Sequence, residues 1–194
     1  VLPDASKAIG VRVYRPLGSE KQTLPAVVHF HGGGFAVGDV DQSDGDCRRM
    51  AVGVPCAVVS VEYPLAPEHK YPLGLDTCYA ATKWVYDHPD EFGIDPSEIA
   101  VAGDSAGANL AAGVASMARD RGGPPIVYQV LVYPVADLSN FDTPSYLENA
   151  EGLYLTRSAM RWFAALYLRD KAEALDGLVS PLHMRNLSGL PPAL

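Results

Sequence analysis

The chain is short of cysteine, of basic charge and of long apolar runs, and each shortage removes a class of protein. Three cysteines, Cys47, Cys56 and Cys78, cannot complete a disulfide framework, and no two stand at the spacing of a zinc knuckle or a redox pair. Buried thiols are the expected state. Lysine and arginine number 15 against 23 acids, a net charge of −8, which argues against general affinity for phosphate backbones or acidic lipid surfaces. Nucleic acid is therefore not an expected partner. No apolar run approaches the ~20 residues that cross a bilayer, and the opening Val-Leu-Pro-Asp has neither Met nor a signal-peptide pattern. The expectation is a cytoplasmic protein without a membrane span, its N-terminus trimmed. Internal repeats and low-complexity tracts are also missing. What remains is globular: 194 residues, 48% hydrophobic and 20% charged, suit one ordinary domain over 1–194.

Short β-rich runs alternate with helical periods, the pattern of an α/β fold with a mainly parallel central sheet and helices on both faces. Strands are expected at 9–14, 26–31, 57–63, 98–102 and 127–133. Between the third and fourth, Leu75, Cys78, Tyr79, Thr82, Val85 and Tyr86 recur at helical spacing until Pro89 stops them. After the fourth, Leu110, Val114 and Met117 mark the packed face of an Ala-rich helix ending at Gly122-Gly123-Pro124-Pro125. From Val135 to about Asn149 the pattern breaks into polar turns; Met160, Phe163, Ala164 and Tyr167 then define a further helix capped by Thr156. Residues 136–175 read as an insertion out of the sheet, either a cap over the strand ends or an ordinary surface helix.

The sharpest chemical signal is Gly103-Asp104-Ser105-Ala106-Gly107, a Gly-x-Ser-x-Gly run between an expected strand and an expected helix. A nucleophile at such a turn sits in strained backbone, and small flanking residues let strand and helix approach while the hydroxyl projects outward. A plain small-residue turn with an incidental serine is the competing reading.

A second signal, His31-Gly32-Gly33-Gly34-Phe35, follows an apolar strand directly. Glycine N–H groups can turn toward a ligand without Cβ obstruction, which is what a developing oxyanion needs; one such donor is worth roughly 3 kcal/mol. The spacing is wrong for a dinucleotide fingerprint, because Val37 stands where the third glycine belongs, and no Gly-Lys-Ser/Thr follows for a phosphate loop. No cofactor is expected. A merely flexible turn is the alternative.

Together these blocks resemble the hormone-sensitive lipase-like family of α/β-hydrolase carboxylesterases. The resemblance rests on His31 to Phe35 with Gly38-Asp39, on Tyr63-Pro64-Leu65-Ala66-Pro67-Glu68, on Gly103 to Gly107 with Asn109, and on Ser180-Pro181 and Leu190 to Leu194, in that order. It covers the chain from about residue 10 to its end. It implies an α/β-hydrolase fold, Ser105 as nucleophile, the N–H groups of Gly33, Gly34 and Ala106 as the oxyanion hole, and His31 with Gly32 as organisers of that loop. The implied reaction is hydrolysis of small-molecule carboxylic esters with short or medium acyl chains, without a metal.

A serine needs a base, and usually an acid to orient the base. The family's acid and histidine would follow Pro191-Pro192-Ala193-Leu194 and match no residue of this sequence. His183 is the one histidine after Ser105, with Asp137 and Asp176 between them, but it precedes the expected strand and reads as a surface or packing residue. His69 and His88 fall in loops. His29 and His31, two apart on a strand, should face one side, yet no third metal ligand stands at a suitable spacing. Glu68 and Asp104 are expected to anchor turns. Phe35, Val37 and Leu153 to Tyr167 are candidate pocket walls. Ala193-Leu194 is expected to begin a strand continued by a complementary C-terminal segment or a second chain, without which the edge at 127–133 exposes apolar surface. Two further readings stay open: a small-molecule-binding protein that keeps the scaffold without a base, and an inactive fragment.

Overall fold

Alternation along two neighbouring parallel strands sets the two faces of the sheet. In the computed structural model, which describes residues 2, 3 and 8–194, β3 (Leu24–Phe30) and β4 (Ala57–Glu62) place Val27 opposite Val58 and Val28 opposite Val59. Val28, Phe30, Val59 and Val61 point into the larger core, and Val27 and Val58 into a smaller one. Both faces are covered here, so these strands are β-branched runs rather than alternating ones. On one side β5 (Ile94–Asp104) and β6 (Ile126–Val132) continue in parallel. On the other, β2 (Ala8–Tyr14) and β1 (Leu2–Pro3) are antiparallel, giving the order β1-β2-β4-β3-β5-β6.

Helices α2 (Leu73–Asp87), α3 (Pro89–Phe92) and α4 (Ala106–Arg121) cover the larger core. Every residue of α4 from Ala106 to Ala118 is buried, because alanine and glycine let it lie close to its neighbours; a Cβ on Gly113 would come within 2.8 Å of Leu75 Cδ1 on α2. The helix stops at Gly122, which adopts the left-handed conformation and bonds back to the last turn. The opposite face carries α1 (Asp44–Gly53), which the sequence pattern did not anticipate. Its apolar stripe is only Cys47, Met50 and Ala51, flanked by Arg48 and Arg49.

After β6 the chain leaves the sheet through α5 (Pro144–Glu148), α6 (Arg157–Tyr167) and 3₁₀ turns at Lys171–Leu175 and Pro181–His183. Thr156 caps α6 by accepting from Ala159 N–H at 3.1 Å. The excursion returns to the strand it left. Gln129 N–H donates to Pro192, Leu131 N–H to Leu194, and Leu194 N–H to Gln129, so that Ala193 forms a parallel bridge beside β6. Buried Asn109 closes the base of the excursion, its amide donating at 2.7 Å to both the Val135 and the Val179 carbonyls. On the α1 side Tyr128 and Val132 remain 38% and 45% exposed, the apolar edge that strand pairing alone leaves uncovered.

Beneath α1, His29 pairs in register with Ser60, and neither His29 Nδ1 nor Ser60 Oγ has a hydrogen-bond partner among the described residues. Burial pushes the adjacent Cys47 thiol up to about 11. Burial also holds the His29 imidazole below the usual histidine range, against the opposing pull of Asp104 and Asp46; His31 adds to the depression. Protons therefore bind the unfolded chain more readily than the folded one. Stability from this group is complete above a pH of about 6.5 and declines as pH falls below it. Urea midpoints at pH 7.5 and 5.5 should differ less in His29→Gln than in the parent; an equal difference in both proteins would exclude His29 as a source of the pH dependence.

Candidate active site

The turn between β5 and α4 is built on contact distances that only glycine permits. A Cβ on Gly107 would collide with the Phe30 carbonyl and stand 2.6 Å from the His31 carbonyl. A Cβ on Gly103 would stand 2.7 Å from the same Phe30 oxygen. Squeezed between them, Ser105 adopts φ 53 and ψ −117, a conformation that L-residues rarely occupy. Three backbone bonds hold it there: Ser105 N–H donates to Val132, and the Ser105 carbonyl accepts from Asn109 and Val135 N–H. Strain at this position is thus offset by its surroundings.

The same close approach brings the glycine loop alongside. Gly32 N–H donates to Asp104 Oδ1 at 3.0 Å, which makes Asp104 a tie between the two loops. Gly33, at φ 118, bends the chain so that Ala36 and Val37 N–H both reach its carbonyl. The Gly33 and Gly34 N–H groups make no hydrogen bond among the described residues. Ala106 is the first residue of α4, where an N–H has no acceptor within the helix. His31 lies beneath, 1% exposed, its ring stacked on Tyr63 at 4.2 Å. His31 Nδ1–H donates to the Gly32 carbonyl at 2.7 Å, and the Tyr63 hydroxyl donates to the His31 carbonyl at 2.7 Å. Burial keeps the Tyr63 phenol protonated by pushing its pKa well up.

Ser105, Asp104 and Gly32 to Gly34 line one cleft of about 1180 Å³. Phe35 and Val37 also line it, and Met160 and Phe163 of α6 form an opposite wall. No metal-binding group of three histidine, cysteine or acidic side chains occurs among the described residues.

No histidine among the described residues hydrogen-bonds the Ser105 side chain. His183 Nε2 lies 3.4 Å from Asp137 Oδ1 and 3.1 Å from Ser139 Oγ, and its ring lines a separate cavity of about 460 Å³. Asp137 borders the Ser105 cleft, whereas Asp176 accepts from the Tyr71 hydroxyl and borders the other cavity. His88 stacks on Trp84, and His69 is half-buried in the loop before α2. His29 lies inside β3 while His31 falls past its end, so strand alternation does not relate them. Glu68 is exposed and makes no side-chain hydrogen bond among the described residues, unlike Asp104. Sequence reasoning also assigned no work to Asn109, although a polar residue four places after Ser105 on an Ala-rich buried helix signals a bond to fixed backbone.

Comparison with known proteins agrees with this geometry. A family model described as alpha/beta hydrolase fold matches residues 27–194. Esterase LipI of Mycobacterium tuberculosis is 46% identical over 187 residues, which span 95% of this chain and 58% of that protein. Carboxylesterase NlhH of the same organism is 47% identical over 196 residues, spanning 98% and 60%. Among solved structures, a hyperthermophilic esterase from Pyrobaculum calidifontis superposes with a TM-score of 0.91 at 48% identity, over 95% of this chain and 59% of that one. The metagenomic carboxylesterase EstE1 gives 0.93 at 46%, over 98% and 65%. The chain belongs to the α/β-hydrolase fold family, with the hormone-sensitive lipase-like carboxylesterases, and it spans less than two thirds of these relatives' own lengths.

Gly107→Ala should lower the unfolding free energy by about 3 kcal/mol or more, because the obstructing atoms are backbone and cannot yield. Gly53→Ala, where an added Cβ meets nothing within 4 Å, should be neutral or stabilising. Urea titration of the two variants checks the pair; a Gly107→Ala loss as small as that of Gly53→Ala would contradict the packing argument.

Proposed function

We propose that this chain supplies the nucleophile and the oxyanion hole of a serine carboxylesterase acting on small-molecule esters of short or medium acyl chains. The observation that carries the reading is the strained Ser105 beside a glycine loop that lines the same cleft and whose Gly33 and Gly34 N–H groups make no hydrogen bond among the described residues. Ser105 Oγ attacks the ester carbonyl and gives its proton to a base, forming a tetrahedral intermediate whose oxygen accepts from Gly33, Gly34 and Ala106 N–H. Collapse breaks the carbon–oxygen bond of the ester; the alcohol departs with that proton, leaving the acyl group on Ser105. Water then adds to the acyl carbon, the acid is released and the serine hydroxyl is restored. His31 and Gly32 hold the loop in register, and no cofactor enters any step.

The base and its acid are assigned to polypeptide outside residues 1–194, on two grounds. No histidine among the described residues hydrogen-bonds Ser105 Oγ, and the relatives are considerably longer than this chain. The partner of the apolar β6 edge is then a complementary C-terminal segment or a second chain. Residues 136–175 serve as the cap of the single hydrolase domain over 1–194, since α6 forms a cleft wall. A cytoplasmic location suits three buried, unpaired cysteines.

Turnover of p-nitrophenyl butyrate, measured for the chain alone and with the C-terminal segment of one of those relatives supplied in trans, tests the assignment. Activity should require the added segment and fall at least about 1000-fold in Ser105→Ala. Activity retained by Ser105→Ala would refute it. Tight ligand binding without turnover in any combination would favour a non-catalytic binding protein.

A further inference from the structure

One ammonium group fastens α6 to the loop that supports the glycines. Lys70 Nζ donates to the carbonyls of Ala165, Leu166 and Leu168 at 3.0, 2.5 and 2.9 Å, where α6 ends. The last carbonyls of a helix have no partner within it, and its C-terminus attracts positive charge. All three ammonium donors are used, so Lys70 meets both needs at once. The loop that carries it is bonded on its other side to the candidate site: Tyr63 hydroxyl to the His31 carbonyl, and Ala66 N–H to the Phe35 carbonyl at 2.8 Å. Tyr71 N–H donates to the Tyr167 carbonyl, and the Tyr167 ring stacks on Phe35 at 3.9 Å. Braced in this way, α6 presses Phe163 against Gly34, where an added Cβ would stand 2.8 Å from Phe163 Cε1. The ester chemistry above makes no use of Lys70 or Phe163.

We infer that Lys70 is a positioning residue that makes α6 an immobile wall of the cleft rather than an opening lid, so that Phe163 restricts the acyl group beside Gly34 to short, unbranched chains. The acyl restriction rests on the ester reading; the fixation of α6 does not. Substitution by methionine keeps the length of the side chain and removes every donor, leaving three carbonyls to water. Arginine keeps the charge and offers donors to the same helix end.

Hydrogen exchange followed by mass spectrometry on Lys70→Met, Lys70→Arg and Phe163→Ala reads the first part. Amides of residues 157–168 should exchange about tenfold faster in Lys70→Met, with α4 and β5 unchanged, and should stay near the parent rate in the other two. The rates of p-nitrophenyl butyrate and decanoate hydrolysis, in the complemented protein, read the second. The preference for butyrate should fall about tenfold in both Lys70→Met and Phe163→Ala, with Lys70→Arg restoring it. Parent-like exchange in Lys70→Met overturns the proposal whatever the esters do. Faster exchange with an unchanged butyrate preference overturns the specificity role, and failure of every protein to turn over ester removes that role together with the ester reading while the exchange result stands.

Discussion

The candidate site depends on two backbones pressed together without side chains between them. Gly103 and Gly107 let the turn after β5 lie against the carbonyls of Phe30 and His31, at the end of β3. Everything nearby is fixed by that approach. It sets Ser105 in its uncommon conformation, and it puts Asp104 within hydrogen-bond reach of Gly32. Neither loop has an independent position, so under the proposed ester reading an oxyanion formed beside the serine would meet donors that need not reorganise.

A second layer of support lies under the glycines. His31 Nδ1 and the Tyr63 hydroxyl are turned to backbone oxygens of the glycine loop, and their stacked rings are buried. The most prominent histidine in the sequence is thus a support of the loop, with no hydrogen bond to Ser105 among the described residues. Among the described residues, the one histidine paired with a carboxylate is His183, which lines a different cavity. That pair has no hydrogen bond to Ser105 among the described residues, so an ion pair by itself does not mark a partner of the serine.

Much of this was legible in the sequence because it is written in small residues and strong periods. The strand, turn and helix around Ser105 follow from Gly103, Gly107 and the apolar spacing after them, and α6 follows from Met160 to Tyr167 with its Thr156 cap. The parts that escaped notice depend on contacts distant in sequence. Helix α1 has an apolar stripe of three residues and glycines at both ends, a signal too weak to stand above its arginines. The antiparallel direction of β2 cannot be read from Ile9 to Tyr14, whose alternation is the same either way. Nothing beside Lys70 in the sequence marks it, since its partners lie about a hundred residues onward. The anchoring role expected of Glu68 belongs instead to other groups in the same loop, Ala66 N–H and Lys70.

The long excursion begins and finishes on β6, with Asn109 gripping both of its ends. The exposed turn at 151–155 can consequently be lengthened or rewritten while α6 stays put, since Ala164 and Tyr167 of that helix pack in the larger core. Such an arrangement separates the backbone that holds the turn at Ser105 from an exposed turn whose Tyr154 and Leu155 line the same cleft. A lineage built on this plan can reshape the cleft without renegotiating how it folds.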